Sequence, residues 1–182
     1  MVWLKSAVNS SPPVFGESTT LWFHEESGMI TASDLNAYLG KNISDICNNN
    51  YVQAADNHCA HFVSHAMSYS FGYTCKAAVA GATHQGANLR VHEVFSRCLN
   101  VGRWADRTAA LTSCLVFVTL ASNVHVTTKT MDNVPKKHIG IFINGTIWHY
   151  SNSQHKVITQ VPGEFIKHYP GPGFALFYGQ LV

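Results

Sequence analysis

The pair Asn144-Gly145, set between two apolar runs, constrains the fold of this chain more than any other short segment. Both positions of a two-residue hairpin turn favour positive φ, which asparagine and glycine adopt at little cost. The runs on either side, 138–143 and 146–150, are of strand length and rich in isoleucine and aromatic residues. A two-residue turn also fixes the register, because Ile143 must face the first residue after the turn. The sequence therefore predicts an antiparallel hairpin.

The predicted register brings two histidines to one side of this hairpin. His149 lies opposite Gly140, and the side chains at positions 138 and 140 share a face of the strand. His138 and His149 then become diagonal neighbours, a separation that two imidazole rings can bridge. Such a pair can provide a base and a partner that orients it, which nucleophilic catalysis by cysteine requires.

Cys59 stands at the start of a second predicted element, a helix that begins near position 58. An apolar pattern at helical spacing follows it, and Asp56 or Asn57 can accept hydrogen bonds from the first-turn amides. The free amides and the helix dipole stabilise a thiolate at this position, so Cys59 is predicted to be nucleophilic near neutral pH. The alternative interpretation is a buried structural cysteine.

The chain has a cysteine at the start of a helix and, later, a His-Ile-Gly-Ile-Phe-Ile strand. In these features it resembles the NlpC/P60 superfamily of papain-like cysteine peptidases and amidases. The resemblance runs from about residue 57 to residue 150. It implies an α+β, papain-like NlpC/P60 fold with N-terminal helices packed on a mostly antiparallel β-sheet. It also implies Cys59 as nucleophile, His138 as base and His149 as orienting residue, with no cofactor. The family's usual Asp-Cys-Ser-Gly around the nucleophile is replaced here by Asn-His-Cys-Ala-His.

The string Asn-x-Cys-x-His-Phe-Val around Cys59 is also similar to the lecithin:retinol acyltransferase-like branch. In that branch the histidine precedes the cysteine in the chain, whereas here Cys59 comes before His138. The order favours the hydrolase branch. A thiol acyltransferase and a papain-like peptidase that acts on proteins remain the alternative enzymes.

Two further residues are candidates for the site. Gln53 lies six residues before Cys59, the spacing at which papain-like enzymes place the glutamine of the oxyanion hole. A surface-loop glutamine is the alternative. Asn152, just beyond His149, is an alternative orienting residue, since a side-chain amide can also fix the tautomer of a base.

A metal site is the non-enzymatic alternative. His61 and His65 stand at i, i+4 on the predicted helix, with His58 one turn earlier and Cys59 as a further ligand. No glutamate follows His61, and the chain contains no Cys-x-x-Cys pair. We therefore expect no metal, and we assign these histidines to helix packing or to the lining of the cleft. The competing hypothesis is a histidine-rich metal-binding module.

Five cysteines leave an odd count. The four besides Cys59 could form two disulfides in an oxidising compartment or remain reduced and mostly buried; they are Cys47, Cys75, Cys98 and Cys114.

Composition restricts the domain organisation and the functional classes that remain possible for this protein. With 182 residues, 46% of them hydrophobic, the chain can form one catalytic domain over 1–182, in which residues 1–20 wrap the surface. A net charge of +2 without a basic cluster argues against nucleic-acid binding. The longest apolar run, 114–121, is too short to span a membrane. The N-terminus lacks the pattern of a secretory signal peptide.

The resemblance also implies a substrate and a setting. The expected reaction is hydrolysis of an amide bond in the stem peptides or cross-links of bacterial peptidoglycan. Without a signal peptide, we expect a protein made in the cytoplasm and delivered by a type VI-like system to the periplasm of a target cell. Such antibacterial effectors are accompanied by a cognate inhibitor, an immunity protein.

Periodicity and turn residues predict helices first and an antiparallel sheet afterwards, an α+β order. The predicted helices cover 34–39, 43–48, a segment from 58, 91–98 and 163–168. The predicted strands cover 115–120, 138–143, 146–150, 156–161 and 174–178. The glycine-rich segment 72–88 is predicted to be a loop near the rim of the active site.

Overall fold

A computed structural model describes residues 30–180, and the segment 1–20 that we expect to wrap the surface lies outside them. The helices are α1 (Ala32–Asn36), α2 (Cys59–Ala66), α3 (Cys75–Ala78), α4 (Val91–Arg97) and α5 (Pro162–Phe165). The strands are β1 (Asn100–Arg103), β2 (Ser113–Leu120), β3 (Val124–His125), β4 (Thr130–Met131), β5 (His138–Ile143), β6 (Thr146–Ser151), β7 (Lys156–Gln160) and β8 (Phe174–Gln180). Short 3-10 segments cover Ile43–Asp45, Trp104–Asp106, Ala121–Asn123 and Ile166–His168.

Six strands form one antiparallel sheet in the order β1-β8-β2-β5-β6-β7, and β3 pairs with β4 separately. The predicted α+β class with a mostly antiparallel sheet is confirmed. None of the helices within residues 30–180 has the length and hydropathy needed to cross a membrane.

The β5–β6 hairpin has the predicted register. Ile143 pairs with Thr146 and Ile141 pairs with Trp148, as a two-residue turn requires. Asn144 and Gly145 have φ values of 47° and 94°, so both turn residues occupy the left-handed region. The turn chemistry therefore determines which side chains of this hairpin share a face.

The two faces of the sheet carry different cores. On one face, the isoleucines of β5 pack in the larger apolar cluster with Phe62 of α2 and Phe95 of α4. On the other face, Phe142 and Ile147 pack in a smaller cluster with Phe165 of α5. Because side chains alternate along a strand, each residue of β5 belongs to one face only. This division decides the surroundings of His138 and Cys59.

Several predicted elements differ from the observed ones. The first helix begins two residues earlier, because Thr31 and Asp34 form a capping box. The helix predicted at 43–48 is only a 3-10 turn. The predicted loop 72–88 contains α3, whose first turn is capped by Thr74. Strands β1, β3 and β4 have two to four residues, too few for an alternating pattern to be recognised.

Candidate active site

Cys59 begins α2, as predicted, and its side chain is buried at 1% exposure. The Asn57 side-chain oxygen accepts a hydrogen bond from the Cys59 amide at 3.0 Å. Asn152 binds the same segment: its Nδ2 donates to Asn57 Oδ1 at 2.9 Å, and its Oδ1 accepts from the His58 amide at 3.0 Å. Asn152 therefore orients the start of α2, and within residues 30–180 it makes no hydrogen bond to either hairpin histidine.

Cys59 borders a surface cavity of about 180 Å³. Four nitrogen-bearing basic side chains line this cavity, and its lining includes no acidic side chain; the four are Arg90, His92, Lys136 and Lys137. Sequence analysis did not identify them as site residues. The only available signal for His92 was its position in the first turn of the predicted 91–98 helix.

The thiol of Cys59 is held in its neutral form. Burial raises the pKa of Cys59 to about 12, and the amides of Ile139 and Ala60 and the charge of Lys137 oppose this effect only in part. The prediction of a thiolate stabilised by the helix terminus is therefore wrong for the protein as described. Desolvation outweighs the helix dipole because the thiol has almost no contact with water.

His138 and His149 form the predicted diagonal pair. His138 Nε2 lies 2.8 Å from His149 Nδ1, and the two rings are nearly perpendicular at 86°. Both side chains are buried. Their other ring nitrogens, His138 Nδ1 and His149 Nε2, are buried without a hydrogen-bond partner.

A third histidine, absent from the sequence prediction, covers this pair. The His168 ring stacks on the His138 ring with centroids 3.8 Å apart and planes 10° apart. Phe165 packs against both hairpin histidines: its ring centroid lies 5.4 Å from that of His138 and 5.1 Å from that of His149. Burial lowers the pKa of His149 to about 4, and it lowers the pKa of His138 well below its usual range. Both rings are therefore neutral at pH 7.

Gln160 on β7 is a further residue beside the histidine pair. It pairs with Ile147 and so lies on the same face of the sheet as His149. Its side chain raises the pKa of His149 against the larger effect of burial. Its Oε1 is buried and has no hydrogen-bond partner among the described residues. The alternation of the 156–161 strand was the only sequence signal for this position.

Cys59 and His138 approach the same end of β5 from different sides. The Ile139 amide contacts the Cys59 thiol, and Tyr169, whose pKa is raised by burial and to a smaller extent by Cys59, packs against His168. His138, however, packs against Phe165, whereas Cys59 belongs to the cluster that contains Ile139. No hydrogen bond joins Cys59 to His138 in the described part of the chain.

Gln53 is placed differently from the expected oxyanion-hole residue. Its side chain is exposed and does not line the cavity beside Cys59. Its backbone carbonyl instead accepts a hydrogen bond from His58 Nε2 at 2.8 Å.

Four cysteine and histidine side chains converge behind α2. The four residues are Cys47, His61, His65 and Cys75. Each contributes one sulfur or ring nitrogen that could bind a metal, and these four atoms all lie within 4.8 Å of one another. His58 and Cys59, which the sequence offered as ligands, are not members of this group. Burial lowers the pKa of His61 to about 3, so its ring is neutral. All five cysteines of the chain are free and buried.

No family model, curated protein or solved structure matches this chain.

Proposed function

We propose that this protein is a cysteine hydrolase that cleaves amide bonds, with Cys59 as nucleophile, His138 as base and His149 as orienting residue. One observation supports it above all: His149 fixes His138 through Nε2 and leaves the buried Nδ1 of His138 without a partner. Nucleophilic cysteine catalysis needs a base with one nitrogen held and the other free. The free nitrogen belongs to the residue that precedes Ile139, whose amide contacts the Cys59 thiol.

The proton positions in the histidine pair are part of this proposal. One nitrogen of the 2.8 Å bond must donate and the other accept, and we assign His149 Nδ1 as the acceptor, with the proton of His149 on Nε2. His138 then donates from Nε2, and its Nδ1 carries a lone pair. This tautomer is the one that a general base requires.

The proposed reaction starts from a neutral thiol and a neutral imidazole. His138 Nδ1 takes the proton of Cys59, and the sulfur attacks the carbonyl carbon to form an acyl-enzyme. His138 then gives that proton to the leaving amine, and water hydrolyses the thioester. Cys59 and His138 lie on opposite faces of the sheet at the start of β5, so the reaction requires this end of the strand to rotate on substrate binding and bring the ring within hydrogen-bond reach of the thiol.

The cavity beside Cys59 suggests the kind of substrate. Lys136 and Lys137 line it together with Arg90, whose guanidinium lies 3.5 Å from Glu93, and no acidic side chain lines the cavity itself. Such a lining favours a peptide with free carboxylates, because charge-assisted hydrogen bonds to carboxylates are the strong ones. Peptidoglycan stem peptides carry such groups, so we propose peptidoglycan as the substrate of an exported antibacterial effector with a papain-like NlpC/P60 arrangement and a cognate inhibitor.

The proposal can be tested with purified full-length protein and isolated peptidoglycan. Released fragments are identified by mass spectrometry, and the Cys59→Ala variant serves as the inactive control. New amine termini that appear only with the wild-type protein would support the proposal. Transfer of an acyl group to an added amine, without hydrolysis, would replace it with the acyltransferase alternative. Cleavage of an unfolded protein substrate but not of peptidoglycan would retain the hydrolase and reject the substrate.

A further inference from the structure

The four converging side chains behind α2, which we call the Cys2His2 cluster, come from three separate segments of the chain. Cys47 follows the 3-10 turn Ile43–Asp45, His61 and His65 lie one turn apart on α2, and Cys75 begins α3. Each side chain is buried except that of His65, which is partly exposed. Among residues 30–180 this is the only group of this kind.

The spacing within the Cys2His2 cluster suits a tetrahedral metal. His61 Nε2 and His65 Nε2 are 3.1 Å apart, and Cys75 Sγ is 4.0 Å from His65 Nε2. A tetrahedral zinc site, with bonds of about 2.0 Å to nitrogen and about 2.3 Å to sulfur, separates its ligand atoms by roughly 3.3–3.8 Å. Only small shifts of the side chains separate the observed positions from such a site.

A chain of hydrogen bonds selects the tautomer of His61. The Gln53 carbonyl can only accept, so His58 carries its proton on Nε2, 2.8 Å away. The lone pair on His58 Nδ1 then accepts from His61 Nδ1 at 3.2 Å. His61 is left with a lone pair on Nε2, the atom that points into the cluster. Metal-binding histidines are oriented in this way by a partner on the other nitrogen.

The two sulfur atoms also receive hydrogen bonds. The Ala87 amide donates to Cys75 Sγ at 3.2 Å, and Asn49 Nδ2 donates to it at 3.5 Å. At Cys47, burial raises the pKa of the thiol, and the amides of Asn49 and Tyr51 oppose this effect. N–H donors favour a thiolate over a thiol. Two thiolates and two neutral imidazoles would balance the charge of a divalent ion, which suits a buried site.

We propose that Cys47, His61, His65 and Cys75 bind one zinc ion in a closed, structural site. Four protein ligands leave no position for a substrate or for a reactive water, in contrast to catalytic zinc sites. The ion would tie the 3-10 turn and α3 to α2, the helix that carries Cys59. This region consists mostly of short elements and loops, so the metal would add a direct link between segments that are distant in the sequence.

Metal analysis of the purified full chain after dialysis against metal-free buffer tests this proposal directly. We expect about one zinc per chain in the wild-type protein and less than about one-tenth of that in Cys75→Ser and His65→Gln. Cys98→Ser is the matched control, because Cys98 is equally buried but lies outside the cluster. It should retain the zinc. Cys59→Ala should retain it too, so the zinc site and the proposed hydrolase can fail independently.

Cobalt substitution keeps the proposal testable if the cluster variants do not fold. Wild-type protein loaded with Co²⁺ should show the visible ligand-field bands of a tetrahedral site and thiolate-to-metal charge transfer. Wild-type protein that holds no zinc and gives no such spectrum would overturn the proposal. So would a disulfide between Cys47 and Cys75 in freshly purified protein, or loss of zinc in the Cys98→Ser control.

Discussion

His138 and His149 share a hydrogen bond of 2.8 Å across the β5–β6 hairpin, in a space from which water is excluded. The contact joins the two ring nitrogens that a diagonal arrangement brings closest. It leaves one nitrogen on each ring without a partner, and the Gln160 side chain influences the pKa of His149. The two histidines are thus not equivalent, and their substitution should have unequal effects.

Replacing the two histidines separately tests this asymmetry. His138→Ala removes the proposed base, and general-base catalysis contributes roughly 10²–10⁴-fold, so kcat should fall by that factor. His149→Asn keeps an acceptor for His138 Nε2 and should lose much less activity than His149→Ala. Initial rates of fragment release from peptidoglycan provide the measurement, with circular dichroism to verify folding.

His92→Ala is the control for the choice of base. His92 lines the cavity that contains Cys59, whereas His138 does not. If His92→Ala lost as much activity as Cys59→Ala while His138→Ala remained active, His92 would be the base.

Asn152→Ala should change activity through the start of α2, because Asn152 binds Asn57 and the His58 amide.

The buried thiol predicts an unusual alkylation profile. Because burial raises the pKa of Cys59 to about 12, its labelling by iodoacetamide should be slow at pH 7. The rate should rise about tenfold for each pH unit, following the thiolate fraction. The labelled position is determined by peptide mapping, and Cys59→Ala should remove that product. Fast labelling that is constant from pH 6 to pH 8 would indicate a preformed thiolate and contradict the assignment.

Stability should decrease as the solution becomes acidic. The pKa of His149 falls from 6.5 to about 4 on folding, so between these values the unfolded chain binds a proton that the folded chain does not. The free energy of unfolding therefore decreases as pH falls through this window, by up to roughly 1.4 kcal/mol per pH unit for this group. His138 acts in the same direction.

Urea denaturation at several pH values measures this dependence. The His149→Asn variant lacks one of the titrating groups, so its free energy of unfolding should change less steeply between pH 6.5 and about 4. An identical slope in the two proteins would show that His149 ionises equally in the folded and unfolded states.

Gly140 permits the close approach of the hairpin strands. A Cβ at this position would lie 2.5 Å from Ile147 Cγ2 and 3.2 Å from His149 Cβ. Gly140→Ala should therefore destabilise the protein by about 1–3 kcal/mol and displace His149 from His138. Thermal unfolding and activity provide the two measurements. Gly163→Ala, where a new Cβ meets no atom within 4 Å, is the matched control and should retain both stability and activity.

The hairpin could be predicted from the sequence because its determinants are local. Asn144 and Gly145 fix the turn, the turn fixes the register, and the register makes His138 and His149 neighbours. The start of α2 was predictable for the same reason, since Asn57 accepts from the Cys59 amide two residues later. Features that depend on neighbouring residues in the chain were therefore accessible without a structure.

Features that depend on distant segments were not accessible. The burial that raises the pKa of Cys59 comes from packing against the sheet, and no local pattern indicates it. The same is true of His168, which reaches His138 from a segment thirty residues later in the chain. Cys47 and Cys75 reach the α2 histidines from a 3-10 turn and from α3, so the metal alternative drawn from the sequence contained only two of the four converging side chains, His61 and His65.

Strand β8 has a consequence for the order in which this protein can be assembled. It is the last strand of the described chain, yet it lies between β1 and β2 in the sheet. During synthesis, β2 can already pair with β5 while its other edge, which contains Val116 and Phe117, still lacks a partner. An open apolar edge favours intermolecular pairing, so we expect chains that lack residues 174–180 to associate more readily than the complete sheet.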